Sequence, residues 1–445
     1  MIPWFVRNCI YRPIYQLRGE KVFSLLGDVA AFHKQPYEKM VDLQWVKAKS
    51  LLEYAFNNSK YYSKILPKPN TQKGQSDYCA QFNQIPFLTK KILRDNFQSI
   101  LSIQPLKTSP RKTSGSTGVP LWLVKDRTAT AYMDALMYDV YGWHGIKIGD
   151  KQGRFWGMPL DRKTRLKWQI KDLLFNRKRC NSFELTKSAC QRYYEILESF
   201  KPKYFYGYPS AICEFIRNIE ESGLIPSKLN IKVVITTGEI LYENQRAIIE
   251  KALGSRVVNE YGNTENGIIA FECPGGRMHL MIHNLLIEIV NPETGQQVPD
   301  GEPGEIALTE LYSYALPFIR YRTGDMAIIS RSRCECGLQS PTVENIQGRV
   351  SDFALSPDGR KISGPIVNYT MTKGIERFRV IQKATDQILV LIESNSPVQQ
   401  AQLDEIAYKW KALLGQTVNV EIQLVDKLPL DKSGKLRSFI SEIPG

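Results

Sequence analysis

The sequence predicts an α/β fold, with a large N-terminal body that includes a β subdomain, followed by a small α+β C-terminal unit. Three observations predict it. Strand-like and helix-like stretches alternate through the middle of the chain, and from Gly301 the pattern changes to short strands and turns. After GRVSD at 348–352 a fresh set of strands surrounds one helix. A chain of 445 residues is also too long for one simple core and suits a large body with an appendage. The boundary is placed near Gly348, giving units 1–347 and 348–445.

Taken in order, Leu43, Val46, Leu51, Leu52, Ala55 and Phe56 recur at helical spacing between Asp42 and Leu66. IPFLTKKILRDNF then reads as a helix capped by Thr89. PLWLVKD is a short strand, and Thr128 to Tyr141 a helix. KYFYGYPSAI (203–212) predicts a strand running into a loop, IKVVITTGEIL (231–241) a buried strand ending in a glycine turn, and SRVVNEYGNTENG (255–267) another strand. Helices are expected over Ala211–Glu221 and Asn244–Leu253. EIALTEL and LPFIRYRTGD supply later strands, with Asp325 closing the second. Beyond the boundary come FRVIQ, ILVLIES, the helix PVQQAQLDEIAYKWKALLG, TVNVEIQLV and a basic tail. Ligands of such a body sit at the carboxyl ends of its strands.

Composition narrows the partners. No apolar run approaches the length of a membrane span, and the opening MIPWFVRNCIYRPIYQLRGEK lacks the apolar stretch and cleavage site of a signal peptide, so cytoplasm is the expected compartment. Cys9, Cys79, Cys180, Cys190 and Cys213 stand alone and read as buried free thiols. The formal charge is +14, densest over 151–187. That stretch is a solvated helix face or a surface for an anionic cosubstrate, an acidic carrier protein or an anionic membrane. Nucleic acid is disfavoured, because no DNA- or RNA-binding motif accompanies the charge.

The stretch TSGSTGVP (113–120) alternates glycines with serine and threonine, so bare amides and short hydroxyls can turn toward one anion. It lacks the lysine of a Walker loop. YGNTE (261–265), YRTGD (321–325), GRVSD (348–352) and SGKLR (433–437) follow in that order. With these five motifs the chain resembles the adenylate-forming superfamily, and most closely its phenylacetate–CoA ligase and capsule-biosynthesis branch; TTGEIL and GYPSAI add to that branch-level resemblance. The segment ALSPDGRKISGP resembles the capsule branch more than the CoA ligases, and Ser351 stands where the family hinge usually carries an acid.

The resemblance implies ATP and magnesium as cofactors, activation of a small carboxylic acid as its acyl-adenylate, and transfer to a thiol, with coenzyme A the first expectation. It also implies a mobile C-terminal lid. Ser114, Gly115, Ser116, Thr117 and Gly118 are then expected at the phosphates, Tyr261, Gly262 and Thr264 in the adenine and magnesium motif, Asp325 at the ribose and Arg349 in the hinge; Gly238 and Glu239 are expected to bind the cofactor, with the Gly238 turn also beside the acyl group. Glu265 offers the hard oxygen that magnesium needs. Lys435, with Glu265 and Thr117, is the expected catalytic set. Tyr206, Tyr208, Pro209 and Ser210 are expected beside the acyl group. Cys273, His279, Cys334 and Cys336 make a complete tetrahedral set for a structural zinc, with His283 competing for the nitrogen position. Two other readings stay open: transfer to an acyl carrier protein or a polysaccharide precursor such as a sugar amine, and a non-catalytic basic binding protein that keeps the fold.

Overall fold

The computed structural model describes residues 1–68, 81–112, 121–157, 162–349, 354–362, 370–372, 375, 377–394, 397–430 and 436–443. The Tyr37–Asn58 helix buries Met40, Ala48, Leu51, Leu52 and Ala55 along one stripe, as its spacing requires. Thr89 caps the Lys90–Asp95 helix, its hydroxyl accepting from Ile92 N at 3.2 Å.

Strands β1 (Thr108–Lys112) and β2 (Trp122–Asp126) form an antiparallel hairpin with Thr108 opposite Asp126. Residues 113–120 connect them, so Ser114, Gly115, Ser116, Thr117 and Gly118 lie outside the described residues. The base of the hairpin is pinned twice by Asp126. Its Oδ1 accepts from Ala129 N at 2.9 Å, capping the Arg127–Gly142 helix, and its Oδ2 accepts from Tyr314 N and Ala315 N at 2.8 and 2.9 Å.

Among the described residues the main sheet has eleven strands. Its parallel half comprises β3 (Gln152–Trp156), β4 (Arg177–Asn181), β5 (Tyr204–Gly207), β6 (Val233–Thr237) and β7 (Arg256–Asn263), in spatial order 4-3-5-6-7. Every residue of β6 is buried, as a parallel strand covered on both faces demands. The Lys187–Phe200, Pro209–Glu220 and Glu243–Leu253 helices pack Leu197, Phe215 and Ile249 against Phe155, Phe205 and Val234 on one face. The Arg127–Gly142 helix covers the other, with Ala135 and Val140 near Ile235 and Val258.

Past β7 the sheet continues antiparallel through β8 (Gly267–Glu272), β9 (Met278–Leu280), β13 (Thr342–Arg349), β12 (Tyr321–Ser330), β11 (Gly304–Glu310) and β10 (Leu285–Val290). The β-rich portion expected from Gly301 is thus joined edge to edge to the α/β portion. Three local expectations change. No loop follows β5, because Tyr208 leads straight into a helix with Pro209 in its first turn, where the missing N–H costs nothing. Asp325 sits inside β12, beside a register shift, and does not close the strand. Cys180, Cys190 and Cys213 are buried as expected, but Cys9 is exposed; Cys79 is outside the described residues.

The C-terminal unit has its own sheet: β16 (Arg377–Ala384), β17 (Gln387–Glu393), β18 (Asn419–Val425) and β19 (Phe439–Ser441), in order 18-17-16-19. A separate hairpin of β14 (Ala354–Leu355) and β15 (Lys361–Ile362) precedes it. The Gln400–Leu414 helix lays Ile406, Trp410 and Leu414 on Val380, Val390 and Ile392. Val350, Ser351 and Asp352 of the expected hinge lie outside the described residues. No helix among the described residues is long and apolar enough to cross a membrane.

Candidate active site

A cavity of about 700 Å³ opens at the carboxyl ends of β6 and β7. Ser210, Gly238, Glu239, Tyr261, Gly262 and Asp325, all expected site residues from four separate stretches of sequence, line it together. Leu436 and Arg437 close one side. Lys435, immediately before them, lies outside the described residues.

The Tyr261 hydroxyl donates to Asp325 Oδ2 at 2.8 Å, tying the strand that carries the aromatic face to the strand that carries the carboxylate. Asp325 pairs across the sheet with Arg349, the first hinge residue beyond Gly348. Gly262 is required by close approach, since a Cβ there would meet the Gly267 carbonyl oxygen at 2.3 Å. The turn between β7 and β8 holds Thr264, exposed, and Glu265, buried. The Tyr321 hydroxyl donates to Glu265 Oε1 at 3.3 Å, and the Lys90 ammonium is 3.9 Å from the same oxygen. Glu265 is therefore a fixed carboxylate, not a solvated loop acid.

Glu239 carries a contact that motif reading does not supply. One of its carboxylate oxygens accepts from Ser210 N at 3.2 Å, at the start of the Pro209–Glu220 helix, and the other from Leu436 N at 2.9 Å. A carboxylate suits both amides, because a helix start presents unpaired N–H groups. Nearby, the Tyr242 and Ser438 hydroxyls are 2.8 Å apart. The C-terminal unit thus meets the body beside the cavity.

The aromatic residues expected at the acyl group are placed differently from Ser210. Tyr208 is buried and stacks on Trp156 with ring centroids 4.3 Å apart, and Pro209 is buried in the helix; neither lines the cavity. Tyr206 lies one layer below it. Its hydroxyl donates to Glu260 Oε1 at 3.0 Å, and the Tyr141 hydroxyl donates to Glu260 Oε2 at 2.8 Å. Burial raises the Glu260 pKa above the ordinary carboxylate range, against the pull of these hydroxyls and of Arg154. Arg154 itself lies over Tyr206, 4.7 Å from its ring centroid. Glu260, Arg154 and Trp156 went unrecognised in the sequence; Glu260 directly precedes the YGNTE motif, the signal that could have found it.

The zinc set comes together as well. The ligand atoms of Cys273, His279, Cys334 and Cys336 lie within 4.8 Å of one another. The Sγ atoms of Cys273 and Cys334 are 3.7 Å apart, and His279 Nε2 is 3.3 Å from Cys336 Sγ. Tetrahedral zinc, with bonds of about 2.3 Å to sulfur and about 2.0 Å to nitrogen, needs separations near these. His279 Nδ1 is 2.9 Å from the Ser340 carbonyl oxygen; donating there leaves Nε2 as the lone-pair nitrogen aimed at the thiols. His283 is elsewhere, edge-on to Phe32 at 4.8 Å and bonded to Asn284 at 2.7 Å, with its pKa pushed down to about 4 by burial.

The four-residue set fits a closed, structural metal. We expect protein purified without chelator to carry zinc, and Cys273→Ser to remove it and cost more than about 4 kcal/mol of stability. Metal analysis beside thermal melts checks this; metal-free protein with an unchanged melt would refute it.

The comparisons with known proteins agree with this geometry. A model of the AMP-binding enzymes matches residues 175–310, and a model of the CapK C-terminal domain matches residues 355–442. Protein CapK of Staphylococcus aureus is 25% identical over 464 residues, covering 98% of this chain and 99% of its own length. A phenylacetate-coenzyme A ligase of Thermus thermophilus is 24% identical over 341 residues, covering 72% of each. Among solved structures, 2-hydroxyisobutyryl-CoA ligase in its postadenylation state with R3-HIB-AMP overlaps with a TM-score of 0.73 at 19% identity, covering 92% of this chain and 91% of that one. The same enzyme in its thioesterification state overlaps at 0.61, with 19% identity and the same coverage.

The fold and its motifs are those of an AMP-forming ligase, and the chain belongs to the adenylate-forming superfamily. Within it, the chain falls in the branch that holds the phenylacetate–CoA ligases and CapK.

Proposed function

We propose that the protein activates a small carboxylic acid with ATP and then passes the acyl group to a thiol, most directly that of coenzyme A. One carboxylate oxygen of the acid attacks the α-phosphorus; the new P–O bond forms as the bond to the β-phosphate bridging oxygen breaks, and pyrophosphate leaves. The thiol then displaces AMP from the acyl carbon and gives up its proton.

The observation that carries this reading is the convergence of Tyr261, Asp325, Gly238 and Glu239 on one cavity closed by the residue that follows Lys435. Asp325 would accept from ribose hydroxyls, and Tyr261 would present its ring to adenine. Ser114, Gly115, Ser116, Thr117 and Gly118, between β1 and β2 in the sequence, would hold the phosphates. Magnesium, if held by Glu265, would draw charge from the phosphate oxygens; the buried, oriented carboxylate fits that hard cation. The acid would enter beside Ser210 and Gly238, with Tyr206 and Tyr208 shaping the wall from behind. The C-terminal unit, divided from the body at 348, would act as the lid that brings in Lys435. The chain as a whole overlaps the postadenylation state of the solved ligase at a TM-score of 0.73 and the thioesterification state at 0.61, which supports reading the C-terminal unit as a lid placed for the first half-reaction.

The match to CapK over nearly the whole chain favours a second reading of the acceptor, an acyl carrier protein or a precursor of a surface polysaccharide. Acid-dependent AMP release, measured with coenzyme A, an acyl carrier protein or an amino sugar supplied in turn, separates the two. Coenzyme A is expected to raise the steady rate at least about tenfold over the acceptor-free rate, which hydrolysis and slow adenylate release limit. Stimulation by the amino sugar or carrier alone would overturn the choice of coenzyme A and leave the adenylation reading intact.

A further inference from the structure

The Arg162–Leu174 helix presents its apolar side chains to solvent. Leu166, Ile170 and Leu173, spaced i, i+4, i+7 on one stripe, are 58%, 52% and 62% exposed. Turned inward is an acid, Asp172, buried and held by Arg179 through bonds of 2.7 and 3.0 Å. Lys163, Arg165, Lys167 and Lys171 are exposed around the stripe, and Asp172 is the sole acid between 162 and 174.

The first residues of the chain extend this surface. Met1 N donates to Asn176 Oδ1 at 3.4 Å, Asn176 Nδ2 donates to the Met1 carbonyl at 3.2 Å, and the Tyr11 ring meets Phe175 at 4.6 Å. These contacts hold the segment against the two residues that follow the helix. Ile2 and Trp4 beside them are 73% and 68% exposed, and Phe5 is exposed too. Residues 1–19 include Arg7, Arg12 and Arg18 and no acid.

We propose that this edge of the molecule, built from the Arg162–Leu174 helix and residues 1–5, docks on an anionic phospholipid membrane. A patch of exposed leucine, isoleucine, phenylalanine and tryptophan needs an apolar partner. Its surround selects the partner, because the charged side chains exposed on the helix are all basic, as are Arg12 and Arg18 further along the N-terminal segment, and phospholipid headgroups supply the complementary sign. The bilayer interface offers the two together: headgroup phosphates for the lysines and arginines, the acyl boundary for the aliphatic stripe, and the interfacial layer that suits Trp4. A nucleic-acid backbone would satisfy the cations and leave the stripe in water. The proposal is independent of which acid or acceptor the active site takes.

The test is sedimentation of the full chain with vesicles of mixed phosphatidylglycerol and phosphatidylcholine, beside vesicles of phosphatidylcholine alone. Binding to the anionic vesicles is expected, with release as salt rises toward about 0.5 M, where screening shortens the reach of the charges to a few ångströms. Ile170→Glu with Leu173→Glu should weaken that binding at least about tenfold. Tyr408→Glu, at an exposed position on the C-terminal helix, should leave it unchanged. All three side chains concerned are exposed, and circular dichroism and melting checked in parallel show whether each variant is folded. Wild-type protein that stays in the supernatant with anionic vesicles at low salt would overturn the proposal. So would a folded double variant that binds like wild type, or capture by an acidic protein without any vesicle binding.

Discussion

Lys435→Ala is expected to slow acyl-adenylate formation by about 100- to 1000-fold while leaving ATP affinity within a few-fold, the effect of removing one charge that meets the transition state. The expectation rests on what surrounds the position. Leu436, the next residue, is anchored by its backbone amide to Glu239 on the cavity wall, and Ser438 is bonded to Tyr242. On the proposed reading, a lysine next to that anchored residue would meet the phosphates only with the C-terminal unit in place. Glu239→Ala should act in the same direction and more weakly, since it loosens the tether and leaves the lysine. Single-turnover adenylation beside equilibrium ATP binding makes the measurement. Equal losses in rate and in ATP affinity would reassign Lys435 to ground-state binding.

Lys125→Met is expected to destabilise the body by about 3–5 kcal/mol. Lys125 is fully buried in β2, paired with Glu310 of β11, with its ammonium 4.3 Å from the Phe318 ring centroid. Burial lowers its pKa, and the Glu310 carboxylate opposes that shift. Asn266, next to Glu265, donates to the same Glu310 oxygen at 2.9 Å. One buried pair therefore joins the strands that flank residues 113–120 to the turn that bears Glu265. The single substitution strands a buried carboxylate. Lys125→Met combined with Glu310→Leu removes both charges and should recover most of the lost stability, as measured in denaturant melts. A single variant as stable as wild type would show that the pair holds nothing together. If the double variant is stable yet still slow in adenylation, the pair positions the two loops as well as bracing them.

Much of the site was legible in the sequence because its chemistry is carried by short contiguous runs. Tyr261 near the end of β7 and Glu265 in the turn that follows it belong to one pentad, and Asp325 ends another with a recognisable glycine. The parts that were not legible are those fixed by partners distant in the chain. Lys125 and Glu310 are 185 positions apart, and Glu239 and Leu436 are 197 apart. Arg154 sits in a run that reads as a solvated cationic face, yet it packs over Tyr206 and Trp156. His279 and His283 were equivalent by spacing. The register of β9 against β13 decides between them, setting His279 opposite Thr342 and so within reach of Ser340 and the thiols. Gly324–Asp325 suggested a turn, whereas a bulged strand absorbs the glycine and continues to Ser330.

The reaction proposed for this cavity is formation of an acyl-adenylate. Exchange of labelled pyrophosphate into ATP, screened across aryl, fatty and amino acids with magnesium present, tests it most directly. The expected result is exchange that depends on the acid, peaks for one chemical class, and collapses in Glu265→Gln and Lys435→Ala. Exchange absent with every acid offered, or present and untouched by both substitutions, would contradict it.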